Sequence, residues 1–521
     1  MFASVQYVVP LVVVVLLYVR YLNSRARPHA PLPPGPKGVM LVGNINDIPP
    51  KRQWLKFAEW KSEYGDVTRL TLLQRPFLVL NSRAAIEALL VKKSQIYSDR
   101  PSMTLLKEWA GWTWSLPGLE YGPEMNLHRR LLNSGLSPSA CRDYYLDLQL
   151  AALRLARKVG ADPSVWAASV HTMVAGNILK MTYGYNVQEK NDPWMARAEK
   201  ILELIQDLGT LGSHPVDIFP WLANLPPRVF GAKLADNLTE LRRMLNSVLN
   251  EPYAEVKDAL DKGIDRPCFT TSMITAHKSK EDGKVEDEYA IKSTAATNYT
   301  VGVETVESTL RTFGIAMMLN PSVQARAQAE LDAYLDGQRL PTLHDREKLP
   351  YVEAVMMEVL RWQPSTPLAI ARRTMEDDVY NGLWIEKDAI LLANSWQCLH
   401  DPDDYPSPHD FIPDRYIPSS PFNPNPAVSP PDPRDFAFGY GRRACPGRTF
   451  AESSLFITIA TLLSVCSFEL PLNEDGVEIK PDMEYESGVA VTFPKPYKCG
   501  MKFRSDAARE LLDATLSDLD V

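Results

Sequence analysis

No two of the six cysteines (Cys141, Cys268, Cys398, Cys445, Cys466 and Cys499) form a C-x-x-C pair, and their spacing is irregular. Neither a disulfide framework nor a zinc knuckle is expected, and a reducing compartment suits the chain. A basic surplus is also missing. The 521 residues carry a net charge of -8, so the bulk charge gives no sign of nucleic-acid binding. Internal repeats and low-complexity domains are absent too. What remains is ordinary globular composition, 45% hydrophobic, with length enough for one large core.

The N-terminus stands apart. Residues 3–19 carry no charge, and as a helix they would reach roughly 25 Å, enough for a thin bilayer. Arg20, Arg25 and Arg27 follow, and the positive-inside rule then puts the rest of the chain in the cytosol. A cleaved signal peptide would carry its positive charge ahead of the apolar run. Residues 1–20 are therefore expected to be a retained anchor. Residues 21–38, ending in "PLPPGPKG", are expected to be a basic, proline-rich hinge. One large domain over 39–504 should follow, then an acidic, solvated helical tail over 505–521. The glycosylation sequons at Asn237 and Asn298 should stay unmodified on the cytosolic side.

Within the domain the pattern is mainly helical. Apolar residues recur at helical spacing in 54–65 and 84–97, and long helices are expected within 140–210, 233–260 and 288–319. "VTRLTLL", "PFLVLNS" and "AILLANS" read as short strands. Residues 448–466 form a long apolar helix, and 417–434 is a proline-rich loop. The stretch "HDPDDYPSPHD" (400–410) holds two histidines and four aspartates, yet its prolines and aspartates are those of turns.

The stretch "FGYGRRACPG" (438–447) admits two readings. Gly439, Gly441 and Ala444 have the spacing of a dinucleotide finger, which needs a strand before it and an acidic residue some twenty positions on. The upstream "NPNPAVSPPDPRD" has too many prolines for a central strand, and the chain twenty residues later is still in an apolar helix. That reading fails. The alternative is a loop offering one sulfur to a metal. Cys445 precedes a long helix, where backbone N–H groups and the helix dipole favour a thiolate, the form that binds metal. Gly441 and Gly447 permit close backbone approach, and Arg443 can pair with an anion.

This loop resembles the haem-binding loop of the cytochrome P450 family, and the resemblance extends over essentially the whole chain. It implies that fold: mainly α with small β-sheets, a single large domain behind an N-terminal transmembrane helix. It also implies a haem (heme b) with Cys445 as axial ligand to the iron and Arg443 on a propionate. "EVLR" (358–361) and "PDRY" (413–416) resemble the family's structural network, carried here by Glu358, Arg361 and Arg415. "VGVETVES" (301–308) resembles the oxygen-binding stretch, with Gly302 leaving room beside the iron and Glu304 and Thr305 as the proton route. Arg129 stands at another propionate-gripping position. Met125 replaces the usual tryptophan there, with His128 or Arg130 as compensation, and Arg372 supplies a further cation.

The implied activity is insertion of one oxygen atom from O2 into a hydrophobic organic substrate, at the endoplasmic reticulum membrane. Electrons would come from NADPH through a separate cytochrome P450 reductase, with cytochrome b5 as a second donor; Arg442 and Arg448 could meet an acidic partner face. The look of the chain resembles basidiomycete members acting on terpenoids and other secondary metabolites. The pocket is expected to draw on 103–120 with its three tryptophans, on the segment around Val301, and on 365–368 and 487–491. A haem-thiolate isomerase or dehydratase acting on a peroxide is the alternative, and it would need neither a reductase nor the proton route.

Overall fold

Gln53–Tyr64 is a helix (α1) that buries Trp54, Phe57 and Trp60 on one face. It leads into an antiparallel hairpin of β1 (Val67–Leu72) and β2 (Arg75–Leu80), with Val67 opposite Leu80. The two-residue turn puts Leu73 and Gln74 at φ 48° and 68°, the left-handed geometry that such hairpins need. The computed structural model describes residues 30–519 apart from 190, 209–213, 419, 424–429 and 489. Later in the chain β3 (Arg372–Arg373) and β4 (Ile390–Ala393) complete a sheet of order β1-β2-β4-β3. In it β2 and β4 run parallel while β3 and β4 run antiparallel. Arg372 thereby sits on a sheet edge.

The remainder is helical: α2 (Pro123–Gly135), α3 (Tyr145–Ala161), α4 (Trp166–Tyr183), α5 (Pro193–Asp207) and α6 (Ala232–Asp261). Then follow α7 (Glu288–Val301), α8 (Val303–Leu319), α9 (Pro321–Leu335), α10 (Pro350–Trp362) and α11 (Arg448–Val465). Pro321 opens α9 at the position where proline costs no hydrogen bond. A helix apolar on every side belongs in a core, and α11 buries Leu455, Phe456, Ile459 and Leu462 while packing on α3, α8, α9 and α10. α8 crosses the same core with Leu310, Phe313 and Met317 fully buried. A small antiparallel pair, β5 (Cys466–Glu469) and β6 (Gly500–Phe503), closes the C-terminal end.

Several expectations need correction. Residues 288–319 are not one helix, because the chain breaks at Gly302. The helical run at 84–97 stops at Lys92. The tail is a helix, α12 (Asp506–Leu519), but it is not wholly solvated: Leu512 and Leu516 are buried and it packs on α3. These two leucines lie one turn apart, so one face carries packing energy while the acidic face meets water. Asn298 is buried within α7, so glycan attachment there is blocked sterically, whichever compartment holds the domain. The anchor expected at 1–20 lies outside the described residues. Among the described residues no helix is long and apolar enough to cross a membrane.

Candidate functional site

The loop before α11 is built by two glycines. Gly439 and Gly441 have φ 73° and 52°, and a Cβ at Gly441 would fall 2.3 Å from the Leu90 carbonyl oxygen. Only glycine fits there. The Cys445 N–H donates to the Phe438 carbonyl at 2.7 Å, closing the loop and turning the cysteine outward from the core. All six cysteines are described. Five are buried, and Cys445 alone is exposed, on the wall of a cavity. Enclosure by the walls of the cavity pushes its thiol up, while the Gly447 N–H and then the Arg129 and Arg448 charges oppose that rise. A cation at the sulfur favours the thiolate.

Val301, Gly302 and Thr305 line the same cavity. The Gly302 N–H still reaches the Asn298 carbonyl at 3.0 Å, but the helix does not continue regularly past it. A Cβ at Gly302 would come within 2.7 Å of that carbonyl and 2.9 Å of Ile178 on α4. Close packing thus adds to the reason expected for this glycine. The cavity has a volume of about 270 Å³.

Four arginines surround it: Arg100, Arg129, Arg372 and Arg443. Arg443 donates to the carbonyls of Ser98 and Leu119, at 2.7 and 2.6 Å. Arg100 donates to Pro117 and Ala371, both at 2.7 Å. Arg129 reaches the Ala444 carbonyl at 2.8 Å, and Arg372 the Tyr440 carbonyl at 2.6 Å. Among the described residues none of the four hydrogen-bonds a carboxylate; nearby Asp99 is engaged by Arg373. Burial holds all four below the ordinary arginine range, with Arg372 and Arg443 pushed down to about 10. Arg100 and Arg372 are buried and Arg129 and Arg443 half-buried, and cations so enclosed are costly unless an anion joins them. A macrocycle with two carboxylates and a metal facing Cys445 fits this donor set.

Other sequence-predicted residues fall elsewhere. His128 is buried off the cavity wall, both ring nitrogens without partners, and burial pushes it down to about 4. Met125 is buried too and does not line the cavity. Trp109 and Trp114 pack into the core, so 103–120 contributes Leu116 and Pro117 instead. Ser365 and Thr366 do line the space. Arg448 is held by Glu452 at 2.6 Å and by Asp435, which leaves Arg442 as the exposed cation beside the loop. Sequence reasoning missed Arg100. In "SDRPS" it is a lone arginine before a proline, and only tertiary folding brings it beside Arg372 and Arg443.

Behind the loop, Glu358, Arg361 and Arg415 are buried together. Arg361 grips both Glu358 oxygens at 2.8 Å, and Arg415 reaches one of them at 3.3 Å. Their remaining N–H groups donate to the carbonyls of Leu399, Pro406 and Pro408. The histidine- and aspartate-rich stretch is thus a set of turns wrapped on α10, and among the described residues no cluster could hold a metal ion.

Glu304 is largely buried, and burial first, then the Glu307 charge, pushes it up to about 7 against the opposing influence of His171. The fold favours its neutral form. Its stabilising contribution is present below its ordinary value of about 4.3 and is lost as pH rises through about 7. Glu304→Gln should therefore gain thermal stability relative to wild type across that window and run parallel to it outside. Melting curves that stay parallel throughout would show an unshifted Glu304.

The match to the cytochrome P450 family model covers residues 33–501. Cytochrome P450 monooxygenase 208 of Postia placenta is 36% identical over 502 residues, covering 96% of each chain. Cytochrome P450 monooxygenase claR of Ampulloclitocybe clavipes is 37% identical, over 92% of this chain and 88% of its own. A zebra fish cytochrome P450 solved with abiraterone superposes with TM-score 0.69 at 23% identity, covering 87% of this chain and all of that one. The chain belongs to the cytochrome P450 family, and it is a monooxygenase of that haem-thiolate class.

Proposed function

We propose that Cys445 is the axial ligand of the haem iron and that the chain inserts one oxygen atom from O2 into a hydrophobic organic molecule. The carrying observation is that the one exposed cysteine and Thr305 line the same cavity as four arginines that hydrogen-bond no carboxylate among the described residues. Arg100, Arg129, Arg372 and Arg443 would hold the propionates, and Gly439 on the cavity wall would leave room for the macrocycle beside the loop. When bound, the haem supplies the oxidising chemistry, since an axial thiolate favours O–O cleavage. Glu304, which precedes Thr305 but does not itself line the cavity, would supply protons to the Thr305 hydroxyl, which would pass them into the cavity. Thr305→Ala should keep haem and its thiolate-type spectrum yet divert most reducing equivalents to hydrogen peroxide. Unchanged coupling would take Thr305 out of the route.

The electron donor we propose is NADPH–cytochrome P450 reductase, with cytochrome b5 as a second donor, docking beside exposed Arg442. Turnover that needs only a hydroperoxide would point to the isomerase chemistry instead. For substrate, the apolar wall of Leu116, Val301 and Ile370 suits a terpenoid-like skeleton. Feeding candidate terpenoids to a host carrying the enzyme and a reductase tests that class.

Residues 1–20 are proposed to anchor the chain in the endoplasmic reticulum membrane, on the charge order noted above. Two exposed apolar side chains of the domain support this: Met40 and Trp221 are 86% and 66% exposed. Deleting residues 1–29 should weaken binding to phosphatidylcholine vesicles, and adding Met40→Ser with Trp221→Ser should abolish the remainder. Full binding after the deletion would remove the anchor.

A further inference from the structure

A line of ionisable side chains runs from the surface to Glu307 on α8. Glu199 on α5 is 61% exposed, His171 on α4 is 25% exposed, and Glu307 on α8 is 10% exposed. His171 Nδ1 lies 2.8 Å from Glu307 Oε2, and its Nε2 lies 3.7 Å from Glu199 Oε1. Each ring nitrogen thus faces its own carboxylate. Such a ring accepts a proton at one end and releases one at the other, and a ring flip or tautomer exchange through water resets it before the next proton. Glu307 stands one helical turn beyond Glu304, on the same face of α8, and Glu304 precedes Thr305 in the chain.

We infer that His171, set between Glu199 and Glu307, carries protons from solvent to Glu304 and Thr305. The inference rests on the proposed haem-thiolate reading. Water gives a proton to Nε2, and the Glu199 carboxylate 3.7 Å away stabilises the cation formed. The Nδ1 proton then passes to Glu307 Oε2, Glu307 recharges Glu304, and Glu304 recharges the Thr305 hydroxyl. One proton enters for each that leaves, and no electrons move along the line. The groups facing His171 are Glu199 from α5 and Glu304 and Glu307 from α8, all acidic, and they hold the imidazole above its ordinary value against burial. Arg311 is the one described cation on Glu307, at 3.4 Å. A purely structural pair would tie α4 to α8 equally well without Glu199 or Glu304 nearby, so the test must separate the two roles.

The discriminating variant is His171→Gln, which can still donate to Glu307 but cannot ionise. Full-length haem-loaded protein is given a microsomal-type NADPH-dependent reductase, with no added substrate. His171→Gln should retain haem, the thiolate-type carbonyl spectrum and its melting temperature. Its NADPH consumption should slow about tenfold, less than a directly acting acid contributes, with a larger solvent isotope effect. Glu199→Gln, at the surface and outside the core, should show the same isotope signature more weakly. Independently of turnover, ring 15N shifts of His171 in the reduced carbonyl form should titrate at lower pH in Glu307→Gln than in wild type. Unchanged rate and isotope effect in a fully haem-loaded His171→Gln would overturn the route, as would an unmoved titration in Glu307→Gln. If His171→Gln loses haem, an unaltered isotope effect in Glu199→Gln overturns it instead. A wild-type protein lacking the thiolate spectrum would refute the haem assignment, a different failure.

Discussion

Replacing Cys445 with serine should abolish oxygen insertion and the thiolate-type spectrum of the reduced carbonyl form while leaving the fold intact. The two effects separate because of where the sulfur sits. Its side chain lines the cavity and fills no hole in the core, so stability should change by no more than about 0.5 kcal/mol. The loop keeps its shape through backbone bonds, chiefly Cys445 N–H to the Phe438 carbonyl. Serine offers a neutral hydroxyl at neutral pH, and the electron donation that favours O–O cleavage is lost. Haem should still be retained in part, since the arginines do not depend on position 445. Melting, haem content and the carbonyl spectrum together check this. Persistence of the thiolate-type spectrum in the serine variant would mean that another residue binds the iron.

The second large effect is expected far from the cavity. Glu358→Gln would leave Arg361 and Arg415 buried with no carboxylate, their guanidinium groups almost wholly enclosed. Breaking a buried pair by removing one partner costs about 3–5 kcal/mol, against a typical total of 5–15 kcal/mol. The loss reaches further than one contact, because Glu358 also accepts the Ile412 N–H while both arginines hold the turns at 399–410. Those turns lie on α10, which packs directly on α11. Little soluble haem-loaded protein should accumulate, and what does should melt well below wild type. A variant within a degree of wild type in melting temperature, with full haem, would show the network to be dispensable.

These two sites also mark what could be read from the residues alone. Cys445 and its glycines are adjacent in sequence, as are Glu304 and Thr305, so their chemistry is local and their spacing carries it. Glu358 and Arg361 share one helix turn. Helix and strand positions followed apolar periodicity, down to the hairpin at 67–80. What escaped was assembled by distant segments. Arg100 joins the basic ring across some 270 residues of chain, and its local sequence has no periodicity to read. His171 is one histidine on an ordinary helix until α8 and α5 bring it two carboxylates. The tryptophans of 103–120 were misplaced because large rings gain more from complete burial than from lining a cavity. The tail's buried face was readable in Leu512 and Leu516, which its acidic residues obscured.

Iron K-edge X-ray absorption on the full-length, haem-loaded protein tests the central assignment most directly, because it reports the atoms bonded to the metal. The account predicts one sulfur in the first shell beside the four porphyrin nitrogens, and its replacement by a lighter atom in Cys445→Ser. A wild-type first shell of nitrogen and oxygen alone would contradict it.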